Sequence, residues 1–184
     1  MITKVGNSIA RVGNAIARYP NIQQSEGYIP VMTSPTSPAP FETYYKSYLT
    51  EAAGGSNCYD QDPDTWTYDS NYYIYPIVTH SRIVLDQPIY AYKMYYKIRC
   101  EIIASDPPPC SVHPQLKDEY GNILFSFSTT SLLPPSTTFE GYVDIQMDVA
   151  SKEFTFEFVR IYSVLPRTGV RCGLYELQLY RFGG

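Results

Sequence analysis

The sequence predicts an all-β fold, an antiparallel β-sandwich of jelly-roll type, behind an N-terminal amphipathic helix and an extended arm. Three observations carry that expectation. The 184 residues include 19 Tyr and 15 Pro. Tyr packs its ring while its hydroxyl stays near water, which suits strands, and Pro suits turns and sheet edges. Apolar and polar residues alternate with a period of two through several stretches, the pattern of strands with one wet face. Turn signals separate these stretches at Asp106-Pro-Pro-Pro, Glu119-Tyr-Gly-Asn122, Leu133-Pro-Pro-Ser136 and Arg167-Thr-Gly169.

Residues 1–19 hold a tandem repeat, Val5-Gly-Asn-Ser-Ile-Ala-Arg11 followed by Val12-Gly-Asn-Ala-Ile-Ala-Arg18. Val5, Ile9, Val12 and Ile16 fall at coiled-coil seam spacing, with Gly6, Ala10, Gly13 and Ala17 as a strip of small residues beside it. The reading is a helix for docking or oligomerisation. Two internal glycines at about 1 kcal/mol each leave it marginal alone, so it needs something to dock on. Sister copies, another protein, its own domain and a membrane interface are the candidates, although no Trp or Phe is present to anchor the last.

Residues 20–58 read as an extended arm rich in Pro, Ser and Gly. Thr33-Ser-Pro-Thr-Ser-Pro-Ala-Pro40 is stiff and lacks a core pattern, and 41–49 suits a short helix or strand. Residues 59–184 read as the sandwich. Tyr90, Tyr92, Met94, Tyr96, Ile98, Cys100 and Ile102 form an inward set against Ala91, Lys93, Tyr95, Lys97, Arg99 and Glu101. Val143, Ile145, Met147 and Val149 form another, and Phe154, Phe156 and Phe158 a third. Further strands are expected at 72–79, 82–85, 112–117, 122–128 and 171–182. About eight strands buried on one side make two packed sheets.

The chemistry is sparse. A net charge of −4 with scattered basic residues gives no footprint for nucleic acid. No apolar run reaches membrane-span length, and the first ten residues lack a signal-peptide core, so a standard secretory route is not expected. His80 and His113 fall in or beside strands, and neither a nucleophile elbow nor a phosphate loop occurs. Catalysis is therefore not expected. Cys100 and Cys110 flank a Pro-rich segment that a disulfide could close as a hairpin; buried free thiols are the alternative.

Asp60, Asp62 and Asp64 stand at alternate positions, the oxygen-ligand spacing calcium uses, but Thr65 and Asn71 occupy the places where an EF-hand has glycine and glutamate. A solvated turn competes with that reading, and no other cofactor is indicated. Tyr59, Trp66, Tyr68, Tyr72, Tyr73 and Tyr75 form an aromatic cluster beside Asp and Asn side chains. Such rings suit a sugar surface, a subunit contact or plain core.

The closing stretch Gly173-Leu-Tyr-Glu-Leu-Gln-Leu-Tyr-Arg-Phe182 resembles the last strand of jelly rolls of the carbohydrate-binding-module and discoidin-like type. Phe139–Met147 and Phe154–Ile161 resemble the strands before it. Viral and phage structural proteins use similar sandwiches with an N-terminal helix or arm. The leading expectation is thus a non-enzymatic virion component, a capsid, decoration, spike or fibre protein assembled in the host cytoplasm with copies of itself and other structural proteins. The alternatives are a glycan-binding or receptor-binding module, placed at a cell surface or outside the cell, and a subunit of a filament or surface layer.

Overall fold

The computed structural model describes residues 9–12, 15–18, 27–47, 50–62, 64–65, 67–68, 78–102, 110–128, 136–162 and 170–181. The strands are β1 (Ile9–Val12), β2 (Ala15–Arg18), β3 (Glu42–Ser47), β4 (Thr50–Ala53), β5 (Thr67–Tyr68) and β6 (Val78–Ile89). They continue with β7 (Ala91–Ile102), β8 (Cys110–Asp118), β9 (Ile123–Ser126), β10 (Ser136–Asp144), β11 (Ser151–Tyr162) and β12 (Val170–Arg181). Two antiparallel sheets make the sandwich, one of four strands in the order β10-β7-β12-β5 and one of six in the order β4-β3-β6-β11-β8-β9.

The period-two pattern places the core. Met94, Ile98 and Cys100 of β7 and Cys172, Leu174, Leu177 and Leu179 of β12 face Ile83, Leu85, Val112, Leu116, Phe154, Phe156 and Phe158 across the sandwich, all at most 2% exposed. Fully burying each large apolar side chain is worth about 1.5–3 kcal/mol. The open side between edge strands β9 and β10 is closed by rings, with Phe127 lying 5.5 Å from Phe139 and 6.1 Å from Tyr96.

Several expectations change. The helix over 1–19 lies partly outside the described residues, Val5, Gly6 and Gly13 among them. Its described parts are extended: Ile9 and Ala10 in β1 pair with Arg18 and Ala17 in β2, and Val12 pairs with Ala15. The register leaves Gly13-Asn14 between the strands, a two-residue hairpin signal that the heptad reading of Ile9, Val12 and Ile16 passed over. Glycine and β-branched residues disfavour the helix at the same positions.

The extended arm is not separate from the sandwich. β3 pairs with β6, Glu42 opposite Val84, and Ile29 and Met32 are buried in the core at 0% and 1% exposure. Gln178 fastens this segment to β12. Its Oε1 accepts from the Ile29 backbone N–H at 3.1 Å, and its Nε2 donates to the Ile29 carbonyl at 2.7 Å. Beside it the Tyr28 N–H donates to the Leu179 carbonyl at 2.7 Å. Gln178→Ala leaves both Ile29 groups buried without partners, so it is expected to cost about 1–3 kcal/mol. Limited proteolysis should then cut first near residues 27–32; unchanged protection and urea midpoint would refute this role of Gln178.

Of the two cysteine readings, a bridge from Cys100 to Cys110 or buried free thiols, Cys100 follows the second: it is a buried free thiol opposite Cys172 in the β7–β12 register, and β7 and β8 lie in different sheets. The side chain of Cys110 lies outside the described residues.

Candidate functional site

A β-bulge shapes the surface of one end of the sandwich. In the β7–β12 pairing, Lys93 lies opposite Tyr180 and Ala91 opposite Arg181, so Tyr92 is an extra residue on β7. A bulge of this kind re-aims the side chains beside it. Ala91 turns inward at 3% exposure, while Tyr90, which the simple alternation put inside, is 54% exposed.

Tyr90 and Tyr92 thereby line a cleft of about 870 Å³. Gln146, Asp148 and Arg181 supply its other polar groups, over a floor that includes Ile89, Ala91, Ile145 and Met147. Two bonds tie the lining segments of the cleft to each other. The Ile145 N–H donates to the Tyr92 carbonyl at 2.9 Å, and the Met147 sulfur accepts from the Ala91 N–H at 3.2 Å. The Arg181 guanidinium lies 4.3 Å over the Tyr28 ring, while the Tyr28 hydroxyl donates to Asp86 and accepts from Gln87 at 3.2 Å. Cation–π stacking of this kind fixes the fork geometry of Arg181 in advance.

The cleft therefore combines stacking surface with fixed donors and acceptors. Asp148 is the one carboxylate among the described residues that line it. The arrangement suits holding a ligand.

The expected aromatic site is divided by the fold. Tyr59 is fully buried, its hydroxyl 3.1 Å from Ser81 Oγ, and burial drives its pKa far up; it is core, not a ligand contact. Tyr68 lies in β5 opposite Gly173. Trp66, Tyr72, Tyr73 and Tyr75 lie outside the described residues.

The three aspartates do not converge on one point. Asp60 Oδ1 accepts from the Asp62 N–H and Asp62 Oδ1 from the Asp64 N–H, each at 3.0 Å, and Asp62 and Asp64 are exposed. Among the described residues no group of three or more His, Cys, Asp or Glu side chains is gathered for a metal. Asp60 instead has a partner that sequence reasoning missed. Glu176 of β12 is only 7% exposed, and its Oε1 has no hydrogen-bond partner among the described residues. Burial pushes its carboxyl up to about 7, the charge of Asp60 adds to the rise, and the Gln61 N–H and Lys97 oppose it. Nearby, burial raises the Cys58 thiol to about 11, which keeps it protonated and inert.

No family model and no curated protein matches the chain. Among solved structures it is similar to a Streptococcus pneumoniae fucose binding module, at 13% identity and a TM-score of 0.39 over 86% of this chain and 100% of that one. It is also similar to a chitosan-binding module from a Paenibacillus chitosanase/glucanase, at 12% identity and a TM-score of 0.40 over 85% and 99%. A third is a Clostridium perfringens module in complex with GlcNAc-α-1,4-galactose, at 10% identity and a TM-score of 0.42 over 75% and 88%. These are the carbohydrate-binding-module type of sandwich that the closing strands resemble.

The virion component is corrected: the segment read as its docking arm is occupied within its own sandwich, through Ile29, Met32 and β3. Among the described residues no helix is long and apolar enough to cross a membrane.

Proposed function

We propose that this chain is a non-catalytic glycan-binding module, acting at a cell surface or outside the cell, whose end cleft holds the sugar. The observation that supports this most is the composition of the cleft: an exposed tyrosine at the bulge, a stacked arginine and the amide of Gln146 around a volume of about 870 Å³. Ligand sites run from roughly 300 to 1,000 Å³ and rely on a few placed polar groups over apolar walls. Tyr90 stacks on a sugar face, while Arg181, Gln146 and Asp148 bond its hydroxyls.

Tyr90→Ala is expected to weaken binding to a glycan found by array screening at least about tenfold, the loss of a stacking anchor and its buried area. Tyr90 is half exposed, so the melting temperature should hold. Equal affinity of wild type and Tyr90→Ala, measured by calorimetry, would move the site elsewhere.

Calcium is proposed as a structural support, held by Asp60 and Glu176 with oxygens of the 60–65 loop. The fit rests on the unpartnered, buried Oε1 of Glu176 beside a second carboxylate. Calcium takes oxygen ligands and neutralises that pair. At a hundredfold excess over its Kd it should stabilise the fold by about 2.7 kcal/mol. Glu176→Gln should abolish the calcium-induced rise in melting temperature; a rise of equal size in both proteins would exclude Glu176 as a ligand.

A further inference from the structure

The outer surface of the four-stranded sheet carries a second group of rings that the cleft does not use. Tyr142 lies opposite Tyr95 and Asp144 opposite Lys93, while Gln178 and Tyr180 lie opposite Tyr95 and Lys93 from the other side. Cross-strand partners share a face. Tyr95 and Tyr142 are 5.0 Å apart between ring centroids, and Tyr142 and Tyr180 are 6.0 Å apart, so the three form one patch. Tyr142 is 62% exposed, and the Lys93 ammonium sits 4.7 Å over its ring.

The patch is continuous with the cleft on all three strands. Ala91 and Tyr92 directly precede Lys93 on β7, Arg181 follows Tyr180 on β12, and Ile145 and Gln146 follow Asp144 beyond β10. Charges on this face are matched locally. Glu140 accepts from the Tyr95 hydroxyl at 2.8 Å, and Glu101 pairs with Arg99 at 2.6 Å and Arg171 at 3.7 Å. What remains for a partner is exposed ring surface, most of it on Tyr142, and scattered polar groups, without a dominant sign of charge. Tyrosine rings serve sugar and protein partners alike; continuity with the cleft assigns this patch to the ligand that the cleft holds.

We propose that this tyrosine face extends the cleft into a track for a neutral oligosaccharide chain, so that the module grips several consecutive units of a polymer. The inference rests on the glycan reading of the cleft. It adds that ligand length matters, and it assigns Tyr142, Tyr180 and Tyr95 as outer contacts.

The test is calorimetry on an array-selected series of one neutral glycan, from single sugar to hexasaccharide. Wild type, Tyr90→Ala, Tyr142→Ala, Tyr142→Phe and Tyr180→Ala are compared, with heparin as the polyanionic control and light scattering for oligomeric state. Affinity should rise with chain length in wild type and Tyr142→Phe. Tyr142→Ala and Tyr180→Ala should each lose about five- to tenfold on the hexasaccharide, the worth of a ring contact, and nothing on the single sugar. If single sugars bind through Tyr90 but length adds nothing, the track is refuted and the cleft stands. If no array glycan binds, both readings fall. Tighter binding of heparin, or a dimer that Tyr142→Ala converts to monomer, would assign the face to a polyanion or to a second copy and overturn the proposal.

Discussion

A Phe156→Ala variant is expected to lose about 3–5 kcal/mol of folding stability. Phe156 sits in β11, which is paired on both sides, opposite Ser81 of β6 and Leu116 of β8. Its ring is 0% exposed and meets Phe158 edge-on at 5.4 Å. A strand held from both sides cannot shift to fill the space, so the cavity term adds to the lost transfer energy. With roughly 2–4 °C per kcal/mol for a chain of this size, the melting temperature should fall by about 6–20 °C. The urea midpoint should drop with an unchanged slope. Phe156→Leu, which keeps most of the volume, should lose less than half as much. A loss below about 1 kcal/mol for the alanine variant would mean that β11 does not run through the middle of the core.

The second large effect is a pH dependence carried by Glu176. Its carboxyl titrates near 7 in the fold against an ordinary value of 4.5, chiefly because it is buried and then because Asp60 is close. A folded pKa above the unfolded one means that the fold prefers the protonated form. The contribution of Glu176 is therefore most favourable below about 4.5, is lost as pH rises toward 7, and is a full penalty above that. In chelator, wild type should lose melting temperature across this window relative to Glu176→Gln, and the variant should be the more stable of the two at pH 8. Calcium at pH 8 should restore wild type and leave the variant unchanged. Parallel pH profiles for the two proteins would show that Glu176 titrates normally.

How much of this could be read from the sequence depended on how local the cause was. Phe154, Phe156 and Phe158 alternate within one strand, so their burial followed from spacing alone. Ile29 and Met32 lie among prolines and serines with no period, and distant groups fix them: Gln178, 149 residues beyond Ile29, and the Tyr59 carbonyl, which accepts from the Met32 N–H at 2.9 Å. Tyr59 and Tyr90 were exchanged for the same reason. A period of two continues smoothly through Tyr90 and Tyr92, and the bulge that turns them outward is a property of the pairing with β12, not of β7. Glu176 was invisible because its significance comes from Asp60, brought to it by the fold.

The pairing of Tyr28 with Leu179, and of Ile29 with Gln178, brings the start and the finish of the sandwich to one edge. A short linker across that edge would join the two without moving either. The chain could then be reopened elsewhere, and the Glu119–Asn122 turn, whose four residues are exposed, is one such place. Circular permutation there should keep the module folded, and the same adjacency lets it be carried as an insert within a loop of a host protein.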